Sequence, residues 1–231
     1  EDQRALVRGH AGAVVVHLHG QALGVGAQPH ADAAARLRHE LGRVAQQVAD
    51  DLLQAGDGDI RDVLLAARGD EIVEDLGGIP GTLIAPVGHG GLLYGILLGF
   101  EALLAAGFTD KMPHFIGVQA EACAPVVAAY RRSLFDIPEI QPAATLAEGA
   151  SVVRPLRAGQ ILNRMYAGAG KMISVSEQHL REAYSRIAQQ GIFCEPTACL
   201  SLAPLLDDKI EVVEPVVAIL TGSGLKTNSI P

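Results

Sequence analysis

The stretch IAPVGHGGLLYGILLGF, residues 84–100, decides how this chain is read. An apolar run enters Gly88-His89-Gly90-Gly91 and passes straight into a second, longer apolar run. The spacing predicts a strand over 82–87, a turn over 88–91 and a helix over 92–106 that stops at Gly107. Glycines let the backbone bend tightly and bring amide N–H groups close to an anion. The start of the helix adds unpaired donors and the positive end of its dipole. Such a turn is built to cradle a phosphate or a carboxylate; the plainer alternative is a tight strand–helix turn with no ligand. A dinucleotide fingerprint needs a third glycine where Leu93 stands, and Gly95 comes two residues too late. A P-loop needs G-K-[ST] after the turn, and that is missing too.

Outward from this stretch, strand and helix alternate. Strands are expected over 114–119, 172–175 and 216–220. Helices are expected over 125–132, 160–166, 177–190 and 196–206, with Ser176 capping the third and Gly191 ending it. This order predicts an α/β fold: a mainly parallel sheet with helices on both faces. A nucleotide-binding version would use Glu121, after the second strand, as ribose partner.

The 231 residues carry a formal net charge of −8, with 49% hydrophobic residues. That composition supports a buried core. Its acidic balance gives no footprint for nucleic acid or an anionic membrane, and no apolar run reaches the roughly 18 residues of a membrane span. The first residues, EDQRALVRGH, show no signal-peptide features and no initiator Met, so a fragment or processed product of the cytoplasm is expected. The three cysteines, Cys123, Cys194 and Cys199, form no C-x-x-C pair and read as reduced thiols.

Composition changes sharply along the chain. Residues 1–81 contain no Lys, Ser, Thr, Asn, Cys, Met, Phe, Tyr or Trp, and the first of these is Thr82. Residues 1–69 are therefore read as an atypical N-terminal segment, either a compositionally biased appendage or not a native domain sequence, and 70–231 as the α/β domain. Within the first segment, Ala13–Leu18 reads as a strand. Ala34, Leu37, Leu41, Val44, Val48 and Leu52 recur at helical spacing over about 31–54. His17, His19, His30 and His39 are imidazole donors, but without an acidic or Cys partner at a matching spacing no metal site is expected.

With these motifs in view, residues 70–231 resemble the C-terminal part of the pyridoxal-phosphate enzymes of fold type II, the tryptophan synthase β-like large domain, and within them the threonine synthase type. PVGHGG (86–91), FIGVQAEACAP (115–125), TLAEGASV (145–152), and EPTAC (195–199) with LTGSGLK (220–226) carry the match in order. The resemblance implies a pyridoxal 5'-phosphate cofactor, its phosphate held by the amides of Gly88, His89, Gly90 and Gly91. It implies the Thr221 hydroxyl on the pyridine nitrogen, Glu195 and Thr197 beside the ring or supporting its loop, and Ala147, Glu148 and Gly149 as a wall. His89 stands where the family has Asn, Ala150 where it has an aliphatic residue, and Cys199 where it has a small one.

The family's Schiff-base lysine lies in an N-terminal S-F-K-D-R-like motif. This chain has only Lys111, Lys171, Lys209 and Lys226, none in such a motif. No catalytic residue is therefore assigned, and the domain is expected to be incomplete. The implied reaction is the conversion of O-phosphohomoserine, a small amino-acid substrate, to threonine and phosphate. A serine/threonine dehydratase, a cysteine synthase-like enzyme and a non-catalytic phosphate-binding remnant are the alternatives. Family large domains also draw on early strands, and only Ala13–Leu18 could stand in for them here. An uncovered sheet edge would leave the chain poorly soluble or a homo-oligomer.

Overall fold

The computed structural model describes residues 6–10, 13–18, 72–73 and 76–226, with only the backbone for the first two stretches and for residue 226. The expected helix over 31–54 and the histidines His19, His30 and His39 lie outside the described residues, as does the side chain of His17.

Six strands make one sheet among the described residues: β1 (Leu6–His10), β2 (Ala13–Leu18), β3 (Thr82–Pro86), β4 (His114–Ala120), β5 (Gly170–Val175) and β6 (Val216–Thr221). Their order is β1-β2-β6-β3-β4-β5. The four strands β6, β3, β4 and β5 run parallel, as the alternation predicts. The hairpin β1–β2 adds to the outer edge of β6 in antiparallel register, with Ala13 opposite Thr221 and Leu18 opposite Val216.

Among the described residues, the α-helices that cover the sheet are α1 (Gly91–Ala105), α2 (Pro125–Arg131), α3 (Ala158–Arg164) and α4 (Glu177–Gln189). Each strand presents alternate side chains to opposite faces, and strands β3, β4 and β6 are buried on both. Leu83 and Ala85 of β3, Phe115 of β4 and Val217 and Ile219 of β6 pack against α1, α2 and α3. Ile84, Ile116 and Val118, together with Val216, Ala218 and Leu220, pack against α4 and the 196–203 segment. Near-continuous apolar strands are what a parallel sheet covered on both sides requires.

Helix ends follow their local chemistry. Ser176 Oγ accepts the N–H of His179 at 3.2 Å and caps α4. Beyond the other end of α4, Gly191 takes φ +81°. The single helix expected over 196–206 is instead two short 3-10 turns, Pro196–Ser201 and Ala203–Leu206. Pro204 has no N–H to donate and cannot sit inside an α-helix. The segment bonds three residues back instead, as in Ala198 N–H to Glu195 C=O and Leu202 N–H to Cys199 C=O. The helix expected over 160–166 starts earlier, at Ala158, and passes into a π turn over Met165–Ala169.

Candidate functional site

The crossovers locate the site. From β3 the chain moves to β4 and then β5 through helices on one face. It returns past β3 to β6 through α4 on the other face. Strand order therefore reverses between β3 and β6, and in open α/β sheets ligands bind beyond the carboxyl ends of strands at such a reversal. Two predicted site elements end there: β3 leads into Gly88–Gly91, and β6 ends at Thr221.

None of the N–H groups of Gly88, His89, Gly90 and Gly91 donates to an acceptor among the described residues. Four amide donors with no acceptor among the described residues thus stand at the start of a 15-residue helix, the arrangement that favours an anion. Gly90 holds the shape of the turn at φ +90°, where a Cβ would lie 2.6 Å from Ile161 Cδ1 and 3.2 Å from Arg157 Cβ. The His89 C=O accepts the N–H of Arg157 at 3.0 Å, which ties the turn to α3. The His89 side chain is exposed. Burial opposes the charge of Arg164, but Glu101 at 2.7 and 2.9 Å holds its pKa above the ordinary value, joining α3 to α1.

The remaining predicted residues form a chain of contacts from the turn to β6. A Cβ on Gly88 would lie 3.2 Å from the C=O of Gly149. The Gly149 N–H donates to Thr197 Oγ1 at 3.2 Å. Two residues back, Glu195 Oε1 lies 3.5 Å from Thr221 Oγ1. Gly222, at φ +79°, passes so close to the Glu195 carboxylate that a Cβ would sit 2.4 Å from its Cδ. The structure thus brings Gly88, Gly149, Thr197, Glu195 and Thr221 around one end of the sheet. Ala147 and Ala150 are buried in this wall, with Glu148 exposed between them.

Two supporting residues escaped the sequence reading. Gln119, fully buried at the end of β4, donates to the C=O of Val87 at 3.1 Å. It accepts the N–H groups of Val126 and Val127 at 3.0 and 3.2 Å. It so fixes the residue from which the glycine turn departs. Glu177 accepts the Thr145 hydroxyl at 2.5 Å and the Leu146 N–H at 3.0 Å, anchoring the segment that becomes the wall. A buried amide inside a strand, and an acidic residue in a helix's first turn, were their only sequence signals.

Other candidates lie elsewhere. Glu121 is exposed in a 3-10 turn, and Leu93, at the place of the third fingerprint glycine, is fully buried in the core. Lys171 is the second residue of β5 and reaches the C=O of Glu211, Lys111 precedes β4, and Lys209 is exposed in a turn. The first two sit toward the amino ends of their strands, opposite the glycine turn. Among the described residues no group of three or more His, Cys, Asp or Glu could hold a metal ion, and no helix is long and apolar enough to cross a membrane.

A family model described as "Pyridoxal-phosphate dependent enzyme" matches residues 5–222, on both sides of the composition change. The threonine synthase of Methanocaldococcus jannaschii is 33% identical over 153 residues, which is 64% of this chain and 38% of that protein. The threonine synthase of Synechocystis sp. is 32% identical over 159 residues, 68% of this chain and 40% of that protein. This chain thus spans about two fifths of the length of these curated relatives. Among solved structures, a threonine deaminase from T.th. superposes with a TM-score of 0.55 at 26% identity, covering 67% of this chain and 55% of that one.

Proposed function

The chain belongs to the pyridoxal-phosphate dependent enzyme family, and from that premise we propose that residues 82–226 form the cofactor-holding wall of a lyase of the threonine synthase type, which takes O-phosphohomoserine to threonine and phosphate. The observation that carries this reading is the set of four unpaired N–H groups at Gly88–Gly91, placed at the reversal between β3 and β6. In this reading the turn binds the cofactor phosphate through its amides and the positive end of α1. The Thr221 hydroxyl, with its one proton, gives up its 3.5 Å contact with Glu195 Oε1 to orient the pyridine nitrogen. Gly149 leaves room for Thr197, whose Oγ1 would lie 3.0 Å from a Cβ there, and Thr197 keeps that wall in place. The bound cofactor supplies an electron sink for bond cleavage at the substrate's α-carbon.

Identity with two threonine synthases supports the replacement reaction. The likeness to a threonine deaminase supports a second reading, elimination from serine or threonine. Cofactor binding is common to both. None of the four lysines lies in the family's lysine motif, so these 231 residues are proposed to hold the cofactor without a covalent bond and without turnover.

The test is titration of the chain with pyridoxal 5'-phosphate, followed by borohydride reduction and peptide mass mapping. Saturable binding is expected, with inorganic phosphate competing and pyridoxal lacking its phosphate binding far more weakly. Gly90→Ala is expected to weaken binding at least about tenfold through the strained turn. Binding that phosphate cannot displace would overturn the assignment of the turn. A stoichiometric reduced adduct on one lysine would overturn the non-covalent part.

A further inference from the structure

Cys194 and Cys199 flank the Glu195–Thr197 stretch, and neither enters the reading above. Both are buried, Cys194 at 4% exposure and Cys199 at zero. Their sulfurs are 3.5 Å apart. A disulfide bond is about 2.05 Å long, so roughly 1.5 Å of approach separates this pair from a covalent link. Tyr184 adds a second observation. Its hydroxyl is buried in the same apolar cluster as both cysteines and has no hydrogen-bond partner. A buried hydroxyl without a partner is costly unless a charged or polar group comes to meet it.

We propose that Cys194 and Cys199 are a modification site: a vicinal dithiol that a peroxide converts to a reversible disulfide inside the wall of the cofactor site. The two sulfurs differ in their roles. The sulfur–sulfur contact favours the thiolate at Cys194, lowering its pKa against the effect of burial. The same contact and burial push the Cys199 thiol up. Cys194 also has the greater exposure. The Cys194 thiolate attacks a peroxide oxygen, forming a sulfenic acid and releasing hydroxide. The Cys199 sulfur then displaces water from it and forms the S–S bond. One hydrogen peroxide and two thiols give one disulfide and two waters; the protein loses two electrons and two protons.

The link would act on its surroundings. Between the cysteines lie Glu195, which touches Thr221, and Thr197, which accepts the Gly149 N–H. Cys194 also bridges to Ser223, just past Thr221. Drawing the sulfurs together shifts the backbone that holds both contacts. The first part of the inference stands without the proposed function, and its consequence is read on the backbone rather than through the cofactor.

The experiment treats the whole chain with a small excess of hydrogen peroxide under native conditions, then maps peptides without reduction. A Cys194–Cys199 linkage about 2 Da lighter than the dithiol is expected, reversed by a dithiol reductant, with Cys123 untouched. In Cys199→Ser, dimedone should instead trap a sulfenic acid at Cys194. Amide exchange at Gly149 and Glu195 should rise about tenfold on oxidation and fall back on reduction. Oxidation confined to Cys123, sulfinic acid at Cys194 with no linkage in the unsubstituted chain, or thiols that react only after unfolding would overturn the site. Linkage without a change in exchange would overturn its coupling to the wall.

Discussion

Buried at the end of β4, the Gln119 amide faces three backbone groups at once. Its oxygen accepts from Val126 and Val127, the second and third residues of α2, where Ala124 offers no side-chain cap. Its nitrogen donates to Val87, one residue before the glycine turn. One side chain so serves as a remote cap for a helix and a tether for the candidate phosphate site. Gln119→Leu leaves two N–H groups and one C=O unpaired in the core, which costs about 2–4 kcal/mol of stability. The exposed change Glu121→Leu, two residues on, stays within about 0.5 kcal/mol. Urea midpoints check the contrast, and equal midpoints would refute the tether. Sequence reading found the glycine turn because backbone strain and helix starts select glycine directly. It missed Gln119 because a buried amide among apolar residues shows its partners only once β3, β4 and α2 are assembled.

At the scale of elements, α4 illustrates how one helix start serves two purposes. Ser176 caps it, and Glu177 in the first turn reaches sideways to the Thr145 hydroxyl and the Leu146 N–H. The cap was legible from Ser176 and the apolar spacing behind it. The sideways grip was not, because Thr145 and Glu177 are 32 residues apart and only the fold brings them together. Ser176→Ala is expected to cost about 1 kcal/mol, the usual value of a cap. Glu177→Gln keeps an acceptor but loses the charge that strengthens both bonds and suits the helix dipole, so it costs about 1–2 kcal/mol. A double-mutant cycle with Thr145→Val should return a coupling of at least about 0.5 kcal/mol. Strict additivity would show that Glu177 acts on α4 alone. The segment 196–206 marks the reverse case. Its apolar residues suggested a helix, but prolines at both turns and burial on nearly every side left no single face to read, and the chain settled into 3-10 turns.

Across the whole molecule, the fold rests on how the outer edge of β6 is covered. That the later strands form a mainly parallel sheet was readable from alternation, though not their order, and Ala13–Leu18 was readable as a strand. Its partner was not, because the intervening chain says nothing of strand order. In the structure β2 lies along β6 for six residue pairs, from Ala13–Thr221 to Leu18–Val216, and β1 follows outside it. This contact holds the strand that ends at Thr221, so the edge hairpin and the candidate site share a support. Val16, opposite Ala218, is the place to test it. Proline there fixes φ and blocks pairing at the centre of β2, at a cost of about 3 kcal/mol or more. It would also return the apolar β6 edge to solvent, an invitation to strand pairing between copies. Val16→Pro is therefore expected to lower the thermal midpoint and to move the chain to earlier, concentration-dependent elution in size-exclusion chromatography. Val16→Thr, which keeps the strand, should do neither. If the proline variant melts and elutes like the unsubstituted chain, β6 does not depend on β2 for its edge, and the support of Thr221 must come from β3 and the 194–201 segment alone.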